Sequence, residues 1–262
     1  MNNNPIGIFD SGVGGTSIWK EINQLLPNES TLYLADSINA PYGYKTIEEI
    51  VSLSVKNTEL LLQMGCKIIV VACNTATTNA ISILREKFNV PFIGIEPAIK
   101  PAALNSKTKS IGILATKGTL NSRLFSATSD EFTENIKVTE VIGEGLVPLI
   151  ESGTLNNSEL KTLLIKYLQP MLDKDIDHLV LGCSHYPYLI PLLENILPKH
   201  IKIIDSGEAV ARQTKNILTQ NQLITNGYHT PTLQFYTNTN TTTLELLLKD
   251  ELNKISIIKK AF

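Results

Sequence analysis

Two of the three cysteines lie at matching points of the chain, each directly after a short apolar run. Cys73 follows residues 68–72, and Cys183 follows residues 178–182. A helix that begins at such a point offers unpaired backbone N–H groups and a favourable dipole, which stabilise thiolate over thiol. One cysteine in this setting is most simply a small buried residue, but two predict a pair of acid/base groups with lowered pKa values.

The third thiol and the histidines carry less information. Cys66 has no counterpart and lies in a turn or strand entrance at residues 65–67, which indicates a structural residue. His185 is close to Cys183 in sequence, where it could tune the thiol or donate a hydrogen bond to a ligand carboxylate. The sequence has no C-x-x-C or H-x-x-x-H pair near the paired cysteines, so we expect no metal.

A glycine-rich segment, Asp10-Ser11-Gly12-Val13-Gly14-Gly15, follows the first apolar run. It supplies a carboxylate, a hydroxyl and backbone amides that could approach a ligand, but an ordinary strand-to-helix turn explains it equally well. The glycine spacing does not match the G-x-G-x-x-G fingerprint of dinucleotide-binding proteins.

A second segment with turn residues, Pro41-Tyr42-Gly43-Tyr44, follows the second apolar run and Asp36. Its backbone N–H groups could bind a substrate carboxylate, and a plain proline and glycine turn is the alternative. Glu96 and Asp205 follow equivalent apolar runs, and Glu151 follows the run 146–150. Each could assist the thiols or be a solvated carboxylate.

These residues are positioned by short, mostly β-branched apolar runs that alternate with amphipathic stretches such as 47–64 and 158–172. Such alternation predicts an α/β fold with parallel sheets. The predicted strands are residues 6–9, 32–35, 68–72, 91–95, 111–114, 138–142, 178–181 and 201–204. Helix-like segments at 208–218 and 242–252 and a strand-like run at 233–236 complete the chain.

The two halves of the chain repeat the same order of apolar runs and the turns that follow them at an offset of about 105 to 110 residues. This repeat indicates a duplicated, domain-sized unit. Each cysteine ends the equivalent strand of its half. Because ligands of open α/β sheets bind beyond the carboxyl ends of the strands, two facing units would form one cleft with a cysteine on each side. We predict a first domain of residues 1–99 with 206–262 and a second of 100–205; a C-terminal linker is the weaker alternative.

The composition favours a small-molecule ligand. The 262 residues are 43% hydrophobic, and 23 basic against 25 acidic residues give a net charge of −2, so neither nucleic acid nor a membrane is expected as a partner. No signal-like segment or membrane-length apolar run is present, and the three cysteines are too few for a disulfide scaffold. These features together predict a cytoplasmic protein.

The sequence resembles the bacterial glutamate racemases in several blocks that run in family order over about four fifths of the chain. The blocks are Phe9-Asp10-Ser11-Gly12-Val13-Gly14-Gly15, Ala35-Asp36 with Pro41-Tyr42-Gly43, Ala72-Cys73-Asn74-Thr75-Ala76-Thr77, Gly94-Ile95-Glu96-Pro97-Ala98, Ala115-Thr116 with Gly118-Thr119, and Gly182-Cys183-Ser184-His185-Tyr186-Pro187. One departure is Ser184, where the family mostly has threonine.

The resemblance implies interconversion of L- and D-glutamate without a cofactor, supply of D-glutamate for peptidoglycan, and two α/β domains around a buried site, usually in a homodimer. It assigns Cys73 and Cys183 as the catalytic acid/base pair, with Asp10, His185 and Glu151 as candidate assisting groups. The implied substrate-binding residues are Asp10, Ser11, Tyr42, Gly43, Asn74, Thr75, Ser184 and His185.

Together, pattern and resemblance predict two similar, flavodoxin-like domains with mainly parallel sheets, pseudo-symmetric and facing a central cleft. Two other functions remain open from sequence. One is racemisation of another acidic amino acid such as aspartate. The other is a non-enzymatic module that binds a small anion, such as a phosphate or nucleotide, on the loop of residues 10–15.

Overall fold

The computed structural model describes residues 2–225 and 229–262, and within them it contains ten strands and eleven α-helices. The strands are β1 (Ile6–Asp10), β2 (Thr31–Ala35), β3 (Ile68–Val71), β4 (Phe92–Gly94), β5 (Ser110–Ala115), β6 (Lys137–Ile142), β7 (His178–Gly182), β8 (Lys202–Ile204), β9 (Leu233–Thr237) and β10 (Ser256–Lys259). The helices are α1 (Thr16–Leu25), α2 (Ile47–Gln63), α3 (Asn74–Lys87), α4 (Ile99–Asn105), α5 (Lys117–Leu120), α6 (Arg123–Phe132), α7 (Leu146–Glu151), α8 (Ser158–Leu172), α9 (Ile190–Ile196), α10 (Gly207–Gln220) and α11 (Thr242–Leu247). No helix in these ranges has the length and apolarity needed to cross a membrane.

All the predicted strands are confirmed. Residues of β1, β2, β3 and β7 are all buried, as expected for parallel strands covered by helices on both faces, and this burial explains their strong sequence signal. The last strand, β10, a half-exposed edge strand of four residues, was not predicted. The helix predicted at 242–252 ends earlier, at Leu247, and is followed by a 3₁₀ turn.

The strands form two parallel sheets with the same internal order. The six-stranded sheet has the order β10-β9-β2-β1-β3-β4, and the four-stranded sheet has the order β6-β5-β7-β8. The segment β2-β1-β3-β4 therefore repeats as β6-β5-β7-β8, and all pairs are parallel. This is the flavodoxin-like order, and it confirms the predicted pseudo-symmetric α/β class.

Sheet membership bears on the division into domains. The strands β9 and β10 join the first sheet beside β2, whereas β5 to β8 form the second sheet without strands from elsewhere. This supports a first domain of residues 1–99 with 206–262 and a second of 100–205, and the boundaries themselves stay a prediction. Met1 and residues 226–228 of that first domain lie outside the described residues.

The packing on the first sheet shows how the C-terminal segment, residues 206–262, is held through β9. Trp19 of α1 packs edge-on against Phe235 of β9, with ring centroids 4.7 Å apart, and its indole N–H donates to Thr31. Tyr33 of β2 lies beside the same phenylalanine. These rings are fully buried, so β9 is part of the core and stabilises the sheet through the burial of large aromatic surfaces.

Candidate active site

The carboxyl ends of both sheets meet at one narrow cleft. Asp10 ends β1 and Cys73 follows β3; in the second sheet Thr116 follows β5 and Cys183 follows β7. In each sheet these are the two adjacent strands between which the chain order reverses, the point at which open α/β sheets bind ligands. The cleft is lined by Ser11, Pro41, Tyr42, Gly43, Cys73, Asn74, Thr75, Thr116, Val147, Cys183, Ser184 and His185.

The structure thus brings both cysteines together with most of the predicted binding residues. Asp10 and Glu151 lie just behind the lining, in contact with it, and their bonds are described below. Glu96 does not belong to this site, because its exposed carboxylate accepts a hydrogen bond from Thr128. Asp205 also lies elsewhere and accepts the backbone N–H of Gly207. Cys66 is buried under the first sheet, as expected for a structural residue.

Cys73 caps the amino terminus of α3, as the sequence predicted. Its Sγ accepts the backbone N–H of Ala76 at 3.4 Å and lies 3.7 Å from the Ser11 hydroxyl. The expected lowering of the thiol pKa is nevertheless wrong for this structure. Burial, reinforced by the charge of Asp10, raises the pKa of Cys73 well above its ordinary value, and the hydrogen bond from Ala76 opposes this only in part.

Cys183 differs from Cys73 in its local setting, which corrects the prediction that both thiols cap helices. The residues after it form a 3₁₀ turn at Tyr186–Leu189, and α9 begins only at Ile190. The Sγ of Cys183 instead lies 3.7 Å from Nδ1 of His185. Burial disfavours the imidazolium, but Cys183 and Glu151 together hold the pKa of His185 well above its ordinary value.

Asp10 fixes the loop that carries the first half of the cleft. Its Oδ1 accepts the backbone N–H of Ser11 at 2.7 Å, and its Oδ2 accepts that of Gly15 at 2.6 Å. The hydroxyl of Ser184, from the second half, lies 3.3 Å from both carboxylate oxygens. Complete burial raises the pKa of Asp10, although His185 and Gly15 favour its charged form.

Glu151, the last residue of α7, joins the two halves. Its Oε1 lies 2.5 Å from Nε2 of His185 and accepts the backbone N–H of Val13 at 2.7 Å, and its Oε2 accepts the Ser37 hydroxyl at 2.9 Å. The carboxylate thereby orients His185 from the side opposite Cys183. This gives Glu151 a defined position that sequence reasoning did not provide.

The glycines of the loop are explained by these contacts. A Cβ atom on Gly12 would lie less than 3.0 Å from all three heavy atoms of the Glu151 carboxyl group, and one on Gly14 would lie as close to the His185 ring. The backbone N–H groups of Ser11, Val13 and Gly15 are already bound by the carboxylates of Asp10 and Glu151. The loop therefore receives side chains of the second half and has few amides left for a phosphate.

The turn after β2 is held by a buried polar network. The Tyr42 hydroxyl donates to Asp36 at 2.6 Å and accepts from Asn57 at 3.1 Å. Burial and the neighbouring Asp36 charge raise the pKa of Tyr42 far above its usual range. The Tyr42 hydroxyl is thus bonded within the protein, although Tyr42 and Gly43 both line the cleft.

Asn74 and Thr75 present polar groups to the cleft. Both side-chain polar atoms of Asn74 are buried and have no hydrogen-bond partner in the part of the chain that the structure describes. A buried amide without partners is costly, so this side chain is suited to a bound polar ligand. Thr75 instead contacts Thr116 across the cleft, with their hydroxyl oxygens 2.8 Å apart.

Thr116 and Val147 were not predicted as site residues, although both line the cleft. The repeat contained a signal for Thr116, since an offset of 105 residues places it opposite Ser11, which also follows a central strand. Val147 belongs to α7, which has no such counterpart, and only the packing of the second half brings it to the cleft.

The free volume of the cleft is about 10 Å³, close to the space that one water molecule needs. Its lining contains no lysine or arginine, so an anionic ligand would be bound by hydroxyls, amides, backbone groups and His185. Among the described residues, no group of three or more His, Cys, Asp or Glu side chains could hold a metal ion. The absence of a metal or cofactor stays a prediction.

The raised pKa of Cys73 predicts an alkaline pH dependence. If Cys73 is the base for one enantiomer of an amino acid, as the resemblance implies, kcat/KM depends on the thiolate of the free enzyme, so a raised pKa moves the rising limb to higher pH. For one enantiomer, we expect kcat/KM to keep rising beyond about pH 8.5, the ordinary thiol pKa. Initial rates with each enantiomer between about pH 6 and about pH 10 test this; two profiles already flat at neutral pH would contradict it.

Comparisons with known proteins agree on one family. The model of the Asp/Glu/hydantoin racemase family matches residues 6–214. Glutamate racemase of Ectopseudomonas mendocina (strain ymp) is 48% identical over 221 residues, which cover 84% of this chain and 84% of that protein. Escherichia coli glutamate racemase, solved in complex with L-glutamate and activator UDP-MurNAc-ala, superimposes with a TM-score of 0.86 at 32% identity and 98% coverage of both chains. Francisella tularensis glutamate racemase in complex with D-glutamate superimposes with a TM-score of 0.84 at 29% identity, again covering 98% of both chains.

Proposed function

Because the chain belongs to the Asp/Glu/hydantoin racemase family, and within it to the glutamate racemases, we propose that it interconverts L-glutamate and D-glutamate at the α-carbon. The observation that carries this proposal is the pair of cysteines on equivalent strands of two sheets, which line one cleft from opposite halves. The enzyme is accordingly an isomerase.

In the proposed mechanism, two bases act on opposite faces of the substrate. The thiolate of one cysteine removes the α-proton, and the thiol of the other donates a proton to the opposite face, so the product is the mirror image and the two thiols exchange protonation states. The intermediate carbanion is stabilised by hydrogen bonds and the electrostatic field of the site. Asp10 lies beside Cys73 and His185 beside Cys183, and we assign them, with Glu151, as groups that position and tune the thiols.

The neutral donors of the cleft support binding of an amino acid with two carboxylates. Asn74 offers both polar atoms of its amide, and Ser11, Thr75 and Ser184 offer hydroxyls. The free volume of the cleft is close to that of one water molecule, so glutamate binding requires the cleft to widen. The related enzymes named above bind L-glutamate and D-glutamate, which favours this substrate.

Three further features stay predictions. The first is the supply of D-glutamate for peptidoglycan, the known role of the family. The second is a homodimer, and the third is a cytoplasmic location. Of the alternatives, the small-anion module is disfavoured by the occupied amides of the loop. The other alternative, racemisation of aspartate, is tested by comparing the rates with glutamate and aspartate in the assay below.

Circular dichroism of L-glutamate and D-glutamate with the purified chain tests the function directly. We expect loss of optical signal from either enantiomer, and faster loss than with aspartate. The activity should survive exhaustive chelation and need no added pyridoxal phosphate, because the two thiols supply the acid and the base. A stable signal from both glutamate enantiomers, or a requirement for metal or pyridoxal phosphate, would contradict the proposal.

A further inference from the structure

We propose that the amino-terminal edge of the second sheet, where its strands begin on the side opposite the cleft, binds a small phosphate-bearing anion. A cavity of about 250 Å³ opens there, lined in part by Lys107, His178, His200 and Lys202. The proposal concerns a separate site and does not depend on racemisation. His178 begins β7 and Cys183 follows its end, so about five residues at roughly 3.3 Å each separate the two sites.

The two lysines around this cavity form no ion pairs. Lys107 and Lys202 are exposed, and within residues 2–225 and 229–262 neither has a carboxylate within ion-pair distance. Asp177 is the one carboxylate of the lining, and its charge offsets one of the two lysines. The lining therefore keeps a net positive charge, which attracts an anion.

The bonds of Asp177 show how the site is built. Its Oδ2 accepts the backbone N–H groups of Lys107 and Thr108 at 2.5 and 3.0 Å, and its Oδ1 lies 2.7 Å from Nδ1 of His178. The carboxylate therefore fixes the segment that carries Lys107 and orients the imidazole ring. It forms no ion pair with the ammonium groups of Lys107 and Lys202.

His178 supplies an observation independent of the lysines. The residue is 3% exposed, yet it lines the cavity, and Asp177 is its hydrogen-bond partner, through Nδ1. Its Nε2 has no partner among the described residues. A buried imidazole held on one side by a carboxylate has its other nitrogen available to a ligand.

The equivalent edge of the first sheet shows that this arrangement is not a requirement of the fold. Lys67 stands there directly before β3, as Asp177 stands before β7, and its ammonium pairs with Glu29 at 2.6 Å in a fully buried contact. The first half thus neutralises its own edge internally. The second half leaves an open cavity with unpaired cations, as expected of a site that binds an external anion.

Phosphate fits this chemistry because compact ammonium groups and an imidazole can share its several acceptor oxygens. Isothermal titration with inorganic phosphate and with glycerol phosphate, against chloride at matched ionic strength, tests the proposal and distinguishes free phosphate from a phosphate monoester. We expect saturable binding of at least one of the two. The Lys107→Gln/Lys202→Gln variant should bind roughly tenfold more weakly or worse.

The matched control is Lys161→Gln/Lys166→Gln, which removes the same charge from exposed positions of α8 and should leave binding unchanged. A long-range ¹H–¹⁵N spectrum of the histidine rings should show that phosphate shifts Nε2 of His178. Unchanged glutamate racemisation in the Lys107→Gln/Lys202→Gln variant would verify that it folds. No saturable binding, or equal binding by both double variants, would overturn the proposal whatever the outcome of the racemase assay.

Discussion

Cys73→Ala and Cys183→Ala are each expected to lower racemisation of glutamate by at least about 10³-fold, because each removes one of the two groups that must act on opposite faces. Exchange of the α-proton with solvent should persist in part. In D₂O, a variant with one thiol left can still exchange the α-proton of the single enantiomer that this thiol faces. Circular dichroism measures the first effect, and proton NMR of the α-position measures the second.

Cys66→Ala is the matched control, because Cys66 is a buried thiol of the same chain that lies outside the cleft. It should keep the wild-type rate apart from any loss of folded protein. The two-base mechanism would be wrong if both cleft variants racemised glutamate at near the wild-type rate. It would also be wrong if both variants exchanged the α-proton of the same enantiomer.

Gly12→Ala is expected to be strongly damaging, although it replaces neither an acid nor a base. The added methyl group would collide with the carboxyl group of Glu151, and overpacking of this kind costs about 1–3 kcal/mol. The displaced carboxylate would release His185, which lies beside Cys183. A misplacement of about 1 Å can cost about 10²-fold in rate, and we expect a loss of this size in kcat. Thermal unfolding and steady-state kinetics measure the two effects.

The double variant Gly12→Ala/Glu151→Ala identifies the cause. If the glycine is required because Glu151 occupies the space, the added methyl group should cost little once that carboxylate is removed, and the two effects will not be additive. Additive losses would indicate instead that Gly12 is needed for its own backbone or for a ligand. Gly65→Ala is a useful contrast, since a Cβ there meets no atom within 4 Å and only its positive φ disfavours alanine.

The sheets could be predicted from sequence because the signal for most strands lies within the residues of the strand itself. Strands such as β3 and β7 are short, buried on both faces and rich in β-branched residues, and the repeat of about 105 to 110 residues placed the cysteines on equivalent strands. The edge strand β10 lacked this signal. Its sequence, Ser-Ile-Ile-Lys, is stabilised by pairing with β9 and not by a buried pattern of its own.

The electrostatics of the site could not be predicted in the same way, because they depend on contacts between distant segments. The helix terminus at Cys73 was recognisable, but the depth of burial that reverses its effect on the thiol pKa is a property of the packed cleft. Likewise, Glu151 contacts Val13 from 138 positions away in sequence. The glycine-rich loop also accommodates two side chains of the other half, Glu151 and His185, which its local sequence does not indicate.

The order in which strands enter the first sheet has a consequence for synthesis on the ribosome. The second sheet is complete once β8 has emerged, whereas β2 remains without its outer neighbour until β9 is made. Until then the nascent chain exposes an unpaired, mostly apolar strand edge that can pair with other chains. Premature termination between residues 205 and 232 should therefore yield insoluble polypeptide, even though such a fragment would contain both cysteines.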